Sequence, residues 1–361
     1  MVLTVGCGGV GKTTVAASLA LAAAREGRRV LCLTIDPAKR LATSLGLGEM
    51  RSEAQEIPPE VWGSRGSGSL TAMMLDVRGT FDALVRRYAP DEATRDRILQ
   101  NRIYREVSGS LTGTPEYMAM EKLHALKDDP RYDLIVLDTP PTSNALDFLD
   151  APDRMIDAMD SPAIRAFVLA FERTGKASVS VLSRAMGKIL SGLGRFTGAE
   201  FLDQVAEFLT GVQSLFGGFK DRAGKVRAAL LSPAVAFVVV TSPDPMAVGE
   251  AMYFVERLQQ SGMNAEGLVL NRVRQCEDAL IPAADRVAAV LREGGVEPSG
   301  DLAAAFTRAW RDATVWARRD ALEVQRARRE MAGVPRHVVV PAFDEDVLDI
   351  AALEKVAALL V

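Results

Sequence analysis

Short apolar runs alternate with longer amphipathic stretches along this chain, and the runs end at polar or turn residues. One example is RVLCLTI, residues 29–35, which ends just before Asp36-Pro37. Apolar runs of this length are typical of strands buried on both faces. The alternation predicts an α/β fold with a mostly parallel sheet flanked by helices. The predicted strands are Met1–Val5, Arg29–Ile35, Leu70–Val77, Tyr132–Leu137, Ala234–Val240, Gly267–Asn271 and His337–Val340.

The remaining stretches carry helix and loop signals. Ala- and Leu-rich spacing predicts a helix over Val15–Ala24, and a long Arg-rich stretch predicts another over Leu302–Met331. A further helix is predicted after Pro341. Residues 49–69 are rich in Gly, Ser, Pro and charge, so we predict a loop there.

Two stretches depart from the alternation of strands and helices. Residues 81–125 are mostly helical in pattern, and residues 151–229 have almost no strand pattern. We therefore predict that they form a helical subdomain inserted into a nucleotide-binding core of residues 1–80, 126–150 and 230–361. One helical face of the second stretch is apolar, and it either forms a groove for a hydrophobic protein client or packs internally. Its members are Phe201, Val205, Phe208, Leu209, Val212, Leu215 and Phe216.

A glycine-rich loop joins the first predicted strand to the first predicted helix. Residues 6–14, GCGGVGKTT, fit the phosphate-binding pattern G-x-x-x-x-G-K-[ST] in the strand–loop–helix context that the motif requires. Backbone N–H groups would surround phosphate oxygens, Lys12 would reach the β- and γ-phosphates, and the Thr13 hydroxyl would ligate Mg²⁺. The predicted nucleotide contacts are Gly8, Gly9, Val10, Gly11, Lys12, Thr13 and Thr14.

Two acidic residues follow strands of the predicted sheet. Asp138 comes directly after the apolar run DLIVL, where a carboxylate suits a second Mg²⁺ contact opposite Thr13. A helix cap or turn residue is the structural alternative. Asp36 ends the neighbouring strand and could orient the attacking water in phosphoryl transfer. For Asp36, a role in the turn is an equal alternative.

Four motifs in chain order resemble the ArsA family of P-loop ATPases, which includes arsenite-pump ATPases and the guided-entry ATPases that deliver tail-anchored membrane proteins. The first is the phosphate loop. The others are Asp36-Pro37-Ala38, similar to the D-P-A of switch I, Asp138-Thr139-Pro140-Pro141-Thr142, similar to switch II, and Asn271 at the end of a strand. Pro341-Ala342-Phe343 also resembles the loop that encloses the base.

The resemblance implies a Mg²⁺-dependent ATP-hydrolysing dimer whose helical subdomains open and close with nucleotide state. It assigns adenine recognition to Asn271 and enclosure of the base to Pro341 and Phe343. Lys12 and Asp36 would be catalytic, and Thr13 and Asp138 would hold the metal. The client is an unidentified protein or anion.

The chain departs from the family pattern in ways that affect mechanism. The family's loop carries a second lysine that reaches the partner's nucleotide, and Cys7 occupies that position here. A nucleotide-gated, weakly hydrolytic subunit paired with a lysine-bearing paralogue is therefore the alternative to a homodimer. The zinc and arsenite cysteines of the two named branches are missing, so neither activity is carried over. A P-loop kinase ranks last, because no Arg-rich lid lies near the loop.

Composition narrows the function further. The chain has 361 residues and a net charge of −4, so bulk charge provides no attraction to nucleic acid or an anionic membrane. The basic run within residues 308–329 is interleaved with acids, including Asp320, and is predicted to be a solvated helix face. Three cysteines lie far apart, and no signal peptide or membrane-spanning run is evident. We expect a cytoplasmic protein.

Overall fold

An eight-stranded sheet forms the centre of the structure, a computed structural model that describes residues 1–35, 40–48, 50–63, 66–107, 114–139, 221–276, 283–297 and 301–361, with isolated positions between 150 and 211. The strands are β1 (Val2–Val5), β2 (Arg29–Thr34), β3 (Gln55–Glu56), β4 (Ser69–Met74), β5 (Leu134–Asp138), β6 (Ala236–Thr241), β7 (Ala265–Val273) and β8 (Arg336–Pro341). Their order is β3-β4-β2-β5-β1-β6-β7-β8. Only β3 pairs antiparallel, on β4. The predicted α/β class is confirmed.

Helices connect the strands and cover the sheet. No helix in the described ranges combines the length and apolar content that a bilayer crossing requires. Residues 221–230 are also helical. The helices are α1 (Lys12–Arg25), α2 (Arg40–Ser44), α3 (Pro59–Trp62), α4 (Val77–Tyr88), α5 (Glu92–Gln100), α6 (Arg102–Val107), α7 (Thr114–Leu126), α8 (Pro245–Gln260), α9 (Ala284–Glu293), α10 (Leu302–Glu330) and α11 (Ile350–Leu360).

Both faces of the sheet are buried, as the apolar runs predict. Along β2, Val30 and Cys32 belong to the cluster that contains the small residues of α1, while Leu31 and Leu33 belong to the cluster under α7 and α8. Alternate residues of a strand point to opposite faces, so an apolar residue at each position gives a strand covered on both sides. The sheet thereby holds its strand ends in a fixed row.

The boundary of the predicted strand Leu70–Val77 is wrong. β4 ends at Met74, and Asp76 caps α4 by accepting a hydrogen bond of 2.8 Å from the Gly79 N–H. A side-chain cap satisfies a helix N–H that has no intrahelical partner, which favours starting the helix at Val77. The apolar pattern alone does not show that the Asp76 cap favours the start of a helix over continuation of the strand.

The predicted loop at 49–69 is also incomplete, because it contains β3 and α3. Trp62 at the end of α3 is 1% exposed, and its indole N–H donates to the Ile57 carbonyl at 3.1 Å. One large buried side chain therefore anchors a segment whose overall composition is typical of a loop.

Three further helices were absent from the predicted elements: α2, α8 and α9. α8 has recognisable sequence signals: Asp244 accepts from the Met246 N–H at 2.9 Å, and Pro245 occupies the first turn. The periodic apolar residues Val248 and Phe254 then face the core. α9 has no buried residue, so its sequence offers little apolar signal.

The interpretation of α10 as a solvated basic face needs one correction. Arg308, Arg311 and Arg318 are exposed as predicted. Asp320 is instead 2% exposed, and its carboxylate accepts the backbone N–H of Arg274 at 2.9 Å. Asp320 thus fastens α10 to the chain that leaves β7.

A buried ion pair joins α7 to the helical residues 221–230. The Glu121 side chain is 1% exposed, and Arg222 Nε lies 2.8 Å from Glu121 Oε2. The Tyr117 hydroxyl donates to the other carboxylate oxygen at 2.8 Å. Burial, followed by the charge of Glu121, raises the pKa of Tyr117, so its hydroxyl stays a donor. The three groups satisfy one another where water has little access.

Replacing one member of this network should be costly. We predict that Glu121→Gln lowers the free energy of unfolding by about 3 kcal/mol, because Arg222 keeps a buried charge without its carboxylate. Glu330→Gln is the matched control, since Glu330 pairs with Arg329 at 3.2 Å with both side chains over 40% exposed. Its loss should be small. Urea unfolding of both variants measures the difference, and equal losses would contradict the prediction.

Candidate functional site

Three polar residues lie side by side at the carboxyl edge of the sheet. In the strand register, Asp138 of β5 pairs with Thr4 of β1 on one side and with Thr34 of β2 on the other. Thr4 and Asp138 are completely buried. The carboxyl edge of a parallel sheet is where ligands bind in α/β folds. The phosphate loop leaves β1 at this same edge.

The loop adopts a backbone that depends on glycine. Gly9 and Gly11 have φ values of 79° and 96°, in the left-handed region that side chains disfavour. A Cβ at Gly11 would lie 2.1 Å from Asn271 Nδ2. Gly11 precedes α1, so the turn delivers the first N–H groups of that helix to the cavity.

Lys12, the first residue of α1, points back along the loop. Its Nζ donates to the Cys7 carbonyl at 2.9 Å, and the residue is 6% exposed. The Lys12 side chain therefore reaches back across the loop from its last residues to Cys7. The geometry suits a lysine that contacts bound phosphates.

Asp138 connects the loop to two strands. Its Oδ2 accepts hydrogen bonds from Thr13 Oγ1 at 2.9 Å and from Thr34 Oγ1 at 3.1 Å. A hydroxyl and a carboxylate are hard oxygen donors, the type that Mg²⁺ prefers, and nucleotide-bound Mg²⁺ usually takes only one or two protein ligands besides phosphates and water. Thr13 and Asp138 therefore fit the predicted metal.

Two consecutive residues of β7 also contact the loop. Asn271 Nδ2 donates to the Val10 carbonyl at 2.8 Å, and Arg272 Nη1 donates to the Gly9 carbonyl at 3.1 Å. The Asn271 amide group is thus oriented by the loop, with its nitrogen engaged there, and an amide oxygen is the acceptor it can offer a ligand. Asn271 is 6% exposed.

A cavity of about 920 Å³ brings most of the predicted residues together. Its wall includes Lys12 and Thr13 of α1 and the segment that follows β8. Gly8, Val10 and Asp138 do not line it, although Val10 supplies the carbonyl that holds Asn271 and Asp138 accepts the hydrogen bond of Thr13. Asp36 lies outside the described residues. The predicted residues in the cavity wall are Gly9, Gly11, Lys12, Thr13, Thr14, Asn271, Pro341 and Phe343.

A protein-family model described as an anion-transporting ATPase matches residues 1–280. The chain belongs to the ArsA ATPase family. It is 25% identical over 276 residues to the "ATPase GET3" of Phaeosphaeria nodorum, with 74% of each chain covered. It is 26% identical over 278 residues to the "ATPase ASNA1 homolog 1" of Paramecium tetraurelia, with 74% of this chain and 73% of the relative covered. The resemblance is confirmed, and the chain is an ATPase.

Cys7 of the phosphate loop lines a second, smaller cavity. This cavity of about 440 Å³ is lined by Cys7, Gly8, Asp244 and Glu250, among others. Burial and, next, the charge and hydrogen bond of Glu250 raise the pKa of the Cys7 thiol. The thiol is therefore neutral near pH 7. The acidic residues Asp244 and Glu250 line the same cavity.

Several residues of the two cavities escaped sequence reasoning. Thr43 and Ser44 reach the main cavity from α2, and Arg272 and Arg274 reach it from the end of β7. For Arg272 the signal was its position directly after Asn271, but strand alternation predicts that neighbours point to opposite faces. Glu250 lies on α8, a helix for which no element was predicted.

The two left-handed glycines provide a matched test of the loop geometry. We predict that Gly11→Ala lowers the free energy of unfolding more than Gly9→Ala. Both variants place a side chain at positive φ, at a cost of about 1–3 kcal/mol each. Only the Cβ at position 11 also meets a neighbour, Asn271, since none lies within 4 Å at position 9. Urea unfolding without nucleotide measures both, and equal losses would contradict the clash.

Proposed function

We propose that this ArsA-family ATPase hydrolyses ATP with Mg²⁺, and that hydrolysis drives opening and closing of a dimer coupled to a client protein or an anion. The observation that carries the proposal is the Asp138 carboxylate. It accepts hydrogen bonds both from the phosphate loop, through Thr13, and from the end of β2, through Thr34. A change at the nucleotide can therefore reach two strand ends through one side chain.

The proposal assigns a role to each predicted site residue. Loop N–H groups and Lys12 bind the phosphates, and Thr13 and Asp138 hold Mg²⁺, which would neutralise charge on the β- and γ-phosphates. Asp36, outside the described residues, orients the attacking water. Asn271 presents its amide oxygen to the adenine amino group, and Pro341 and Phe343 enclose the base.

Coupling to the helical subdomain follows from chain connectivity. Residues 140–149, outside the described ranges, join Asp138 directly to Asp150. Arg257 Nη2 of α8 lies 3.4 Å from Asp150 Oδ1, which connects the end of this segment to the core. We propose that the segment transmits nucleotide state to residues 81–125 and 151–229. Phe208, a member of the apolar face predicted within residues 201–216, packs against Tyr104 with ring centroids 6.4 Å apart. That contact favours internal packing over a client groove at this position, and the family description favours an anion.

The site is tested by phosphate release from ATP. We predict that Lys12→Ala lowers turnover at least about 100-fold, because a group that neutralises transition-state charge is removed.

Asp138→Asn should raise the Mg²⁺ concentration needed for half-maximal turnover, since an amide is a weaker ligand than a carboxylate. Asp36→Asn should retain ATP binding and lose turnover.

The exposed ion-pair variant Glu330→Gln is the control, with turnover like the wild type, because Glu330 does not line the main cavity. Chelation of divalent metal by EDTA should abolish turnover, and added Mg²⁺ should restore it. Turnover of Lys12→Ala equal to that of the wild type would overturn the assignment of the cavity as the hydrolytic site.

A second candidate function is favoured by Cys7 and Glu250. The resemblance expects a second lysine at position 7, and the neutral thiol beside Glu250 supplies no positive charge there. A weakly hydrolytic subunit would then pair with a lysine-bearing paralogue that provides the missing cation. In that heterodimer, the chain contributes nucleotide-gated binding more than turnover.

Restoring the lysine discriminates between the two candidates. If the missing cation limits turnover, Cys7→Lys should raise phosphate release by the protein alone, on the order of 100-fold. Cys7→Met is the matched control, because it lengthens the side chain without adding charge, and its turnover should stay low. Equal turnover of the wild type and Cys7→Lys would contradict the second candidate and leave the homodimeric ATPase.

A further inference from the structure

Arg272 has a backbone conformation that its residue type disfavours. In the part of the chain that the structure describes, it is the only non-glycine residue with a left-handed φ, 60°. Such a conformation costs on the order of 1–3 kcal/mol and persists only where its surroundings hold it. Residues of this kind concentrate at ligand-binding and catalytic positions, so the outlier calls for a functional reason.

The cause of this conformation is an irregularity between two strands. The pairing of β7 with β8 changes register between Leu270 and Val273, so the two residues between them leave the regular ladder. Neighbouring side chains of a regular strand point to opposite faces. Here, however, Asn271 and Arg272 both contact the phosphate loop, at the successive carbonyls of Val10 and Gly9. The bulge therefore turns a second side chain into the cavity.

The contact with Gly9 also places the guanidinium relative to the loop. In a trans peptide, the Gly9 carbonyl and the Val10 N–H point in opposite directions. If that N–H faces the phosphates, the carbonyl that holds Arg272 lies on the other side of the peptide. Arg272 belongs instead to the same strand end as Asn271. It directly precedes Val273, which pairs with Pro341 of β8, so it lies beside the segment that contains Pro341 and Phe343.

We propose that Arg272 is a nucleotide-binding residue whose guanidinium covers one face of the purine base. The proposal rests on the proposed function, because it requires a nucleotide in the main cavity. A guanidinium is planar and delocalised and stacks on aromatic rings, and its attraction to a base does not depend on the base's edge. Asn271 reads the base edge, while Arg272 adds affinity across the ring face.

Two variants separate the side chain from the backbone strain. Arg272→Gly and Arg272→Asn both tolerate positive φ, so each should fold and melt at or above the wild-type temperature. Both lose the planar cation. Arg308→Ala is the matched control, since Arg308 is an exposed arginine of α10 and does not line the main cavity.

Calorimetric binding of Mg²⁺-ADP and of tripolyphosphate distinguishes the base from the phosphates. We expect ADP to bind about tenfold more weakly to both Arg272 variants, with tripolyphosphate binding changed less than about twofold. Arg308→Ala should bind both probes like the wild type.

Unchanged ADP affinity in the Arg272 variants would overturn the proposal. Equal weakening of ADP and tripolyphosphate would also overturn it, because Arg272 would then act on the phosphates. If the wild-type protein binds neither probe, the proposed function fails together with this inference. Wild-type binding with no effect of the variants overturns the inference alone.

Discussion

The buried carboxylate of Asp138 is the constraint on which the site depends. A carboxylate with no solvent access must be matched by donors, since an unpaired buried charge is strongly unfavourable. Thr13 and Thr34 supply hydroxyl donors to the same oxygen, from the start of α1 and from the end of β2. Asp138 therefore links the start of α1, which follows the phosphate loop, to the ends of β2 and β5. Burial and, next, the charge of Asp138 raise the pKa of the Cys32 thiol on β2, so that cysteine stays neutral.

A second constraint comes from the close approach of β7 to the loop. Gly11 has no room for a Cβ because the Asn271 amide lies where that atom would be. The amide itself is held by Val10, a residue 261 positions away in sequence. The loop and the end of β7 are thus joined at two successive carbonyls, those of Val10 and Gly9.

The apolar runs predicted seven of the eight strands that the structure describes, because a strand buried on both faces is apolar at most positions, and they missed the two-residue strand β3. Sequence reasoning also missed features that depend on single polar contacts. Asp76 ends one strand early by capping a helix, and Asp320 is buried because it accepts a backbone N–H from a distant segment. The phosphate loop was found by its spacing, which is local. Arg272 was not, because a register change between strands has no local pattern.

The positive charges near the phosphate loop differ from those that the family resemblance implies. ATP brings several negative charges to a loop in which the resemblance would place a second lysine at position 7. The residue there is Cys7, a thiol kept neutral by burial and by Glu250. Lys12 is then the cation within the loop, and its Nζ donates to the Cys7 carbonyl.

Further positive charge reaches the cavity from the end of β7, through Arg272 and Arg274. Arg274 is held by Asp320 and lies over the Trp316 ring at 5.0 Å, so part of its charge is already committed. Arg272 donates to the Gly9 carbonyl, which is a neutral partner. A nucleotide would therefore meet a cavity whose cations come from two separate strands, β1 through its loop and β7 through its bulge, and the spacing of those strands in the sheet sets the distance between them.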